Sequence, residues 1–572
     1  MLQSFALNGL KHVLLCPGSR SGPLAMAADY LHSSNQLLLT TSIDERSGGF
    51  LAVGFARPDN IASVVITTSG TAVANLLPSA IEADRSSIPL ILITADRPKR
   101  LKNCGSNQTV NQEDFLKSVC RWFVQMPEDG IHNVTDKDIY EICTKAWVKA
   151  HTLNGPVHIN LPFEEPLYSG HNEDLSITSN TFFNKSDLEK ESYQISSIKP
   201  TPTTYPLETG KHYPGLIILG STKEQIKNNI QFQKSLSQFH VISGWPIFAD
   251  PQCKLNDHVP GVISNWDFII GSGLMNKFAI KQVLRIGHLP VSKYLYDFLA
   301  SKPCPHLLLS DGETRNIDPL RMSIQSNMGF IDWFQLFLKT ELNNNSDQSL
   351  HNIDMIGELT ELDLAVERHF EEKIPKEGKI TEPFIARSIS RLLPQNIPVM
   401  LAASSPIRDW VSFSGSNSLP RACYSFRGAS GIDGTLSLAL GLAKRMGSAF
   451  LITGDLAFLH DVNGLLIAQQ ESINLVILVI DNSGGGIFTQ LGINRFCKGD
   501  FEKIFAMPQN VNYELLAAAH SIPYKKVHKS EDLKSAIDWS LSLSGPTLLS
   551  LETDSSSDAF LRSSLLESFK GK

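Results

Sequence analysis

The sequence predicts an α/β protein built from three doubly wound, parallel-sheet domains in series, and three observations carry that expectation. Short apolar runs alternate with helical patterns along most of the chain. The runs are continuous rather than alternating in polarity, as strands covered on both faces require. Two polar stretches, Ser169 to Pro214 and TELNNNSDQSLHN (340 to 352), cut the pattern into blocks. At about 100 to 200 residues per domain, a chain of 572 residues divides into about three.

The first block reads HVLLCPG then GPLAMAADYLHS, LLLTTSID then ERSGGFLAVGFA, ASVVITTSG then TAVANLLPSAIEAD, followed by PLILITADRP and PVHINLPF. Each pair is a strand feeding a helix. After the linker, which includes KPTPTTYP, the rhythm resumes with GLIILG, FHVISGWP, DFIIGSG, QVLRIGH and HLLLSDG. An amphipathic helix is expected around IGELTELDLAVERHFEEKI (356 to 374). From about Thr381 a last block has PVMLAASS, AFLITGD, NLVILVID and PTLLSLETD as strands. The expected domains are residues 1–180, a central α/β domain at 181–375 with its linkers, and 376–572. Three similar units in series suggest an old duplication.

Composition narrows the function. A formal charge of −7, with Lys and Arg scattered, argues against a nucleic-acid surface. No apolar stretch reaches the ~18 residues that span a bilayer, so a soluble chain is expected. The eight cysteines (16, 104, 120, 143, 253, 304, 423, 497) form no CxxC pair. That spacing fits small thiols in a reducing compartment better than a disulfide or zinc framework. Residues 1 to 12 show neither a signal-peptide core nor a transit-peptide pattern.

Chemistry is concentrated where two strands of the last block end. AFLITGD stops at Asp455, and NLVILVID runs into Asp481, Asn482 and the glycines 484 to 486, one crossover helix (DVNGLLIAQQES) later. Ligands of open parallel sheets sit beyond the carboxyl ends of strands. A hard cation takes a carboxylate, neutral carbonyl oxygens and phosphate oxygens, a set that Asp455, Asn482 and the Gly484 carbonyl could supply. Glycines let a diphosphate approach the backbone. A plainer reading stays open for either motif alone, with GD and DN as turn residues and Asp461 as a helix cap.

An acid at one strand end and an amide one crossover later resembles the diphosphate motif of thiamine diphosphate enzymes, usually GDG with a closing NN. Here Leu456 stands for the second glycine and Asp481 for the first asparagine. CPGSRSGPLAMAA (16 to 28), IDER (43 to 46), TADRP (94 to 98), CGSNQ (104 to 108), SPIRD (405 to 409), FRGASGIDGTLS (426 to 437) and NSGGGIF (482 to 488) are similar to the 2-succinyl-5-enolpyruvyl-6-hydroxy-3-cyclohexene-1-carboxylate (SEPHCHC) synthase family. The resemblance covers both outer domains in order; the central one carries little of it.

The resemblance implies a pyrimidine-binding N-terminal domain, a diphosphate-binding C-terminal domain, and thiamine diphosphate with Mg²⁺ or Mn²⁺. Glu45 matches the carboxyl group that hydrogen-bonds the cofactor's aminopyrimidine; a plain helix-start acid is its rival. Gly454, Asp455, Leu456, Asn482, Gly484 and Gly485 match the diphosphate and metal site, with Ser404 beside it. Ile432 matches the bulky residue that holds the cofactor bent, with core packing as the alternative. The implied substrates, 2-oxoglutarate and isochorismate, each carry two carboxylates. Ser19, Arg20, Arg97 and Gln108, with Arg408 and Arg427, fall on the substrate motifs, and arginine grips a carboxylate in two bonds. Arg97 could instead pair with Asp96, and Arg408 with Asp409.

Lys293, in HLPVSK, is a further candidate, although Tyr294 stands where the family often has a second base. Ala403 replaces an asparagine expected before Ser404. Phe488 and Leu491 would wall the substrate pocket or simply pack. The implied reaction decarboxylates 2-oxoglutarate and adds its remainder to isochorismate on the route to menaquinone or phylloquinone. The implied assembly is a homodimer or a dimer of dimers with active sites between subunits. The compartment would be the cytoplasm in a bacterium or the plastid stroma in a plant or alga. Rival functions are another thiamine diphosphate carboligase or a non-catalytic subunit of the same fold. No GxGxxG following a strand and no GxxxxGK[ST] support a dehydrogenase or a P-loop enzyme.

Overall fold

The computed structural model describes residues 1–572 except 129, 132–133, 168–206, 209–212, 256–258, 344–352, 427, 491–492, 494–498 and 571–572; at 341–343 and 353–354 it describes the backbone alone. Three parallel sheets are present. The first holds β1 (His12–Cys16), β2 (Leu38–Thr41), β3 (Ser63–Thr67), β4 (Leu90–Asp96), β5 (Trp122–Gln125) and β6 (Pro156–Pro162), in the order β2-β1-β3-β4-β6-β5. The second holds β7 (Gly215–Leu219), β8 (Ile247–Ala249), β9 (Gln282–Ile286), β10 (His306–Leu309) and β11 (Ser323–Ser326), in the order β11-β10-β9-β7-β8. The third holds β12 (Val399–Leu401), β13 (Cys423–Ser425), β14 (Ala449–Gly454), β15 (Leu475–Asp481), β16 (Tyr524–Val527) and β17 (Thr547–Glu552), in the order β13-β12-β14-β15-β17-β16.

The chain divides into two compact units. One carries the first sheet, and the other carries the remaining two. The polar stretches read as boundaries lie largely outside the described residues. In the second unit one apolar core runs from Leu216 and Phe248 of the central sheet to Val399, Phe450 and Leu549 of the last. The helix expected around 356 to 374 spans Ile353–Lys373 and contributes Leu359, Val366 and Phe370 to that core.

Central strands form where the sequence is continuously apolar: β1, β3, β4 and β6 are buried along their full length. Two runs in the middle block end differently. FHVISG closes the helix Asn229–Ser243, and DFIIG lies within the helix Trp266–Gly271. The second run is largely buried and the first turns Phe239 inward while Val241 is exposed, and over such lengths a helix and a strand have the same composition. Conversely, β5, β11 and β16 are short, partly exposed edge strands; β11 and β16 are mixed in polarity and β5 has only the three apolar residues Trp122, Phe123 and Val124.

The helix Glu45–Ala56 shows why a glycine pair interrupts an otherwise good helix sequence. A Cβ on Gly48 would stand 2.4 Å from Leu14 Cδ2, and one on Gly49 would stand 2.2 Å from Ser79 Oγ. The pair lets the helix lie close against β1 and the helix Leu77–Arg85, offsetting the ~1 kcal/mol that each interior glycine costs.

Candidate active site

Candidate residues occur in both compact units. In the second unit, β14 and β15 pair in parallel with Gly454 opposite Ile480, so Asp455 and Asp481 end neighbouring strands at the carboxyl edge. Asp455 opens the helix Asp455–His460 and is buried. Its Oδ1 accepts from the Leu456 amide (2.8 Å) and its Oδ2 from the Gly484 amide (2.7 Å). Burial, reinforced by the nearby Asp481 carboxylate, pushes its carboxyl up to about 6 against those two bonds. A buried carboxylate next to a second, half-buried one is a place where a cation would be stabilising.

Asn482, also buried, donates Nδ2 to Glu382 Oε1 (2.6 Å), while its Oδ1 is buried with no hydrogen-bond partner among the described residues. A buried amide oxygen without such a partner is free to accept a ligand's positive charge. The Gly484 carbonyl accepts from the Gly486 amide (2.8 Å) and keeps a second lone pair. The donors thus fit a hard divalent cation. They are mixed in type, and no cluster of three or more His, Cys, Asp or Glu suited to a metal occurs among the described residues.

The glycines do more than admit a ligand. Gly484 sits at φ 105°, and a Cβ there would stand 1.9 Å from the Ala506 carbonyl oxygen; at Gly485 the Phe505 carbonyl oxygen would be 2.4 Å away. Close packing of the chain on itself therefore also demands glycine. Open ground lies at Gly454, where a Cβ would meet nothing within 4 Å. Ile432 is 39% exposed, which is not core packing, and its carbonyl accepts from Thr435 Oγ1 (2.9 Å). Phe488 packs against Phe505, with ring centroids 5.5 Å apart. Arg427 and Leu491 lie outside the described residues.

Ser404 precedes the helix Ser405–Phe413 at φ 74°, a conformation costing a non-glycine residue about 1–3 kcal/mol. Arg408 is exposed, and its Nη1 donates to the Ser404 carbonyl (2.7 Å). It leaves Asp409 alone: that carboxylate is taken by Arg562 at 2.7 and 2.8 Å. Lys293 opens the helix Lys293–Ala300, exposed and without an ion pair among the described residues. Its turn is tied to the Arg408 helix through buried Asp267, whose two carboxylate oxygens accept from Ser292 and Ser412.

In the first unit, Glu45 begins the helix Glu45–Ala56, and its Oε2 accepts from Asn75 Nδ2 (3.1 Å). Ser19 and Arg20 form the 3₁₀ turn after β1. Arg20 is buried, donating to the Phe163 carbonyl (3.0 Å) and pairing with Glu165 (2.9 Å), while its Nε has no partner among the described residues. Arg97 follows β4. Its guanidinium donates to Ser69 Oγ and to Gln108 Oε1 (3.4 Å), and Gln108 Nε2 donates to the Ser69 carbonyl (3.0 Å). Asp96 is engaged by Lys102 (2.8 Å) and Asn160 (2.7 Å) instead. Burial and then the Arg20 charge lower the Arg97 pKa, against the opposing pull of Asp96 and Glu165. A cavity of about 530 Å³ opens beside Arg97, lined also by Lys99, Lys102 and Asn111.

Glu382, Arg562, Asp267 and Asn75 are not singled out by the sequence, in which Asp481 only stands for the motif's first asparagine. Each looks like a helix-start acid, a surface arginine or a turn residue until the fold brings it to the site.

Comparisons with known proteins follow this geometry. The profile described as "Thiamine pyrophosphate enzyme, N-terminal TPP binding domain" matches residues 1–117, and its C-terminal counterpart matches 410–551. A protein of Synechococcus sp. (strain CC9311) is 45% identical over 568 residues, 99% of this chain and 98% of the relative. One from Prochlorococcus marinus (strain NATL1A) is 44% identical over 577 residues, 100% and 96%. Both are named 2-succinyl-5-enolpyruvyl-6-hydroxy-3-cyclohexene-1-carboxylate synthase. Among solved structures, an X-ray structure from Mycobacterium smegmatis, whose title assigns it to the thiamin diphosphate-dependent enzymes, superposes with a TM-score of 0.64 at 15% identity. That match covers 97% of this chain and 98% of that one.

Proposed function

This chain belongs to the SEPHCHC synthase family of thiamine diphosphate-dependent enzymes, and on that premise we propose that it decarboxylates 2-oxoglutarate and adds the remaining four-carbon unit to isochorismate in a 1,4-addition. The products are SEPHCHC and CO₂, on the route to menaquinone or phylloquinone. Thiamine diphosphate, when bound, supplies the electron sink for breaking one carbon–carbon bond and forming the next.

The residues supply position and charge. Asp455, Asn482 and the Gly484 carbonyl hold Mg²⁺ or Mn²⁺, which neutralises the diphosphate, and Gly454, Leu456, Gly485 and Ser404 border it. Ile432, exposed at its turn, supports the cofactor's bend. Glu45 holds a hydrogen bond to the aminopyrimidine ring. Ser19, Arg20, Arg97 and Gln108 receive substrate carboxylates at the edge of the first sheet. Arg408 and Arg427 do so around the third, Lys293 adds a cation from the turn between β9 and β10 of the second, and Phe488 and Leu491 wall the substrate pocket. The functional assembly is a homodimer or a dimer of dimers in which Glu45 of one copy serves the cofactor held by another.

The observation that carries this reading is the Arg20–Arg97 pair. Arg20 is buried and paired with Glu165 while its Nε keeps no partner among the described residues, and the Arg97 guanidinium donates to the neutral Ser69 and Gln108, so both can take a substrate carboxylate. A carboligase for small monoacids has no use for two such arginines. The test is CO₂ release from 2-oxoglutarate with thiamine diphosphate and Mg²⁺, with and without isochorismate. Release accelerated by isochorismate, with the adduct mass in the product, is expected. Bound cofactor without release would overturn the choice of donor, and release indifferent to isochorismate the choice of acceptor.

A further inference from the structure

The orphaned oxygen of Asn482 raises the question of what keeps that amide from turning over. Its Nδ2 donates to Glu382 Oε1 at 2.6 Å. A carboxylate only accepts, so the bond dictates which end of the amide faces Glu382 and leaves Oδ1 on the other side. Glu382 is itself fixed. It is 3% exposed, its backbone amide donates to Asp558 Oδ1 (3.1 Å), and its second oxygen, Oε2, takes Arg562 Nη2 at 2.5 Å. Arg562, from the helix Ser555–Lys570, also holds Asp409 through Nε (3.0 Å) and Nη2 (2.7 and 2.8 Å). One guanidinium thus ties together the helix Glu382–Leu392, the helix that bears Arg408, and the C-terminal helix.

We propose that Glu382, held by Arg562, is a positioning residue that locks the Asn482 side chain with its oxygen presented to the cation. The inference rests on the reading of Asn482 as a metal ligand. Groups behind a ligand fix its orientation, and losing one typically weakens metal binding ~10- to 100-fold. Glu382→Gln is the sharp variant because it keeps size and shape. Its carbonyl satisfies Arg562, its amide nitrogen faces Asn482, and the Asn482 amide turns its oxygen to meet that nitrogen, presenting NH₂ to the cation.

The experiment titrates the full-length protein with Mn²⁺ at saturating thiamine diphosphate and reads free Mn²⁺ by electron paramagnetic resonance, independently of turnover. Asn482→Ala should lose Mn²⁺ binding, and E382Q should weaken it ~10- to 100-fold. N482D should also bind poorly, because two carboxylates then meet. The double variant E382Q/N482D should recover affinity above either single variant, since a carboxylate shows oxygen on both sides and the new glutamine donates to it. A clamp that merely braced the fold would make the two losses add. Wild-type binding by E382Q while N482A fails, or additive losses in the double variant, overturns the positioning role. Wild-type binding by N482A overturns the metal reading beneath it.

Discussion

Glu45 is spared the usual duty of an acid at a helix start. Asp44 performs it, accepting from the Arg46 and Ser47 amides, so the Glu45 carboxylate is left to one side-chain donor, Asn75. An acid relieved of capping is available to a ligand, although its place in the first turn still complements the helix dipole. Glu45→Gln should keep thiamine diphosphate binding, followed by calorimetry, while turnover falls roughly 10²- to 10⁴-fold, the span for losing proton-transfer assistance. Near-wild-type turnover would remove Glu45 from the chemistry. The arginines teach a related point. Arg97 and Arg408 were recognisable from TADRP and SPIRD, but their freedom from the adjacent aspartates was not. That freedom depends on Lys102 and Arg562, and Arg562 lies 153 positions from Asp409.

At the scale of elements, legibility followed burial. Strands covered on both faces announced themselves as continuous apolar runs, whereas the edge strands β5, β11 and β16 and the helix turns of the middle block did not, because composition reports burial before it reports backbone shape. Buried polar residues inside those strands were silent too. His158, in the middle of β6, is fully buried. Its Nε2 meets Thr94 Oγ1 at 2.7 Å, and Nδ1 has no partner among the described residues. Thr94 in turn donates to Asn160 Oδ1 (2.7 Å). Burial lowers the His158 pKa from 6.5 to about 3, so the folded protein holds it neutral. The unfolded chain takes up a proton below its ordinary value and the folded chain does not. Stability is therefore unaffected above about pH 7 and falls as pH drops from 6.5 toward 3, by at most about 1.4 kcal/mol per pH unit. Denaturant unfolding at pH 7.5 and pH 5 should show this loss in the wild type and a shallower one in His158→Phe. Equal slopes would mean that the imidazole is charged or solvated in the fold.

At the scale of the molecule, the first and third sheets have the same strand order, with the second strand at the edge, the first beside it, and the last two exchanged. A repeated topology places a carboxyl edge with ligand-facing turns in each unit. One edge carries Glu45, Arg20 and Arg97, and the other carries Asp455 and Asn482. Neither edge alone has both the acid for the pyrimidine ring and the oxygens for the metal. If the complete site is shared between copies, as proposed, two different inactive chains should repair each other. A hybrid of an E45Q chain with a D455N chain places both lesions in one site and leaves the other intact. Random reassembly of equal amounts makes half the dimers hybrid, each with one good site of two, so the mixture should regain about a quarter of wild-type activity from parents that have almost none. If instead Glu45 and Asp455 of the same chain met, every site in every dimer would carry a lesion and mixing would restore nothing. The ratio of recovered activity, measured after subunit exchange, decides between two assemblies that one chain's sequence describes equally well.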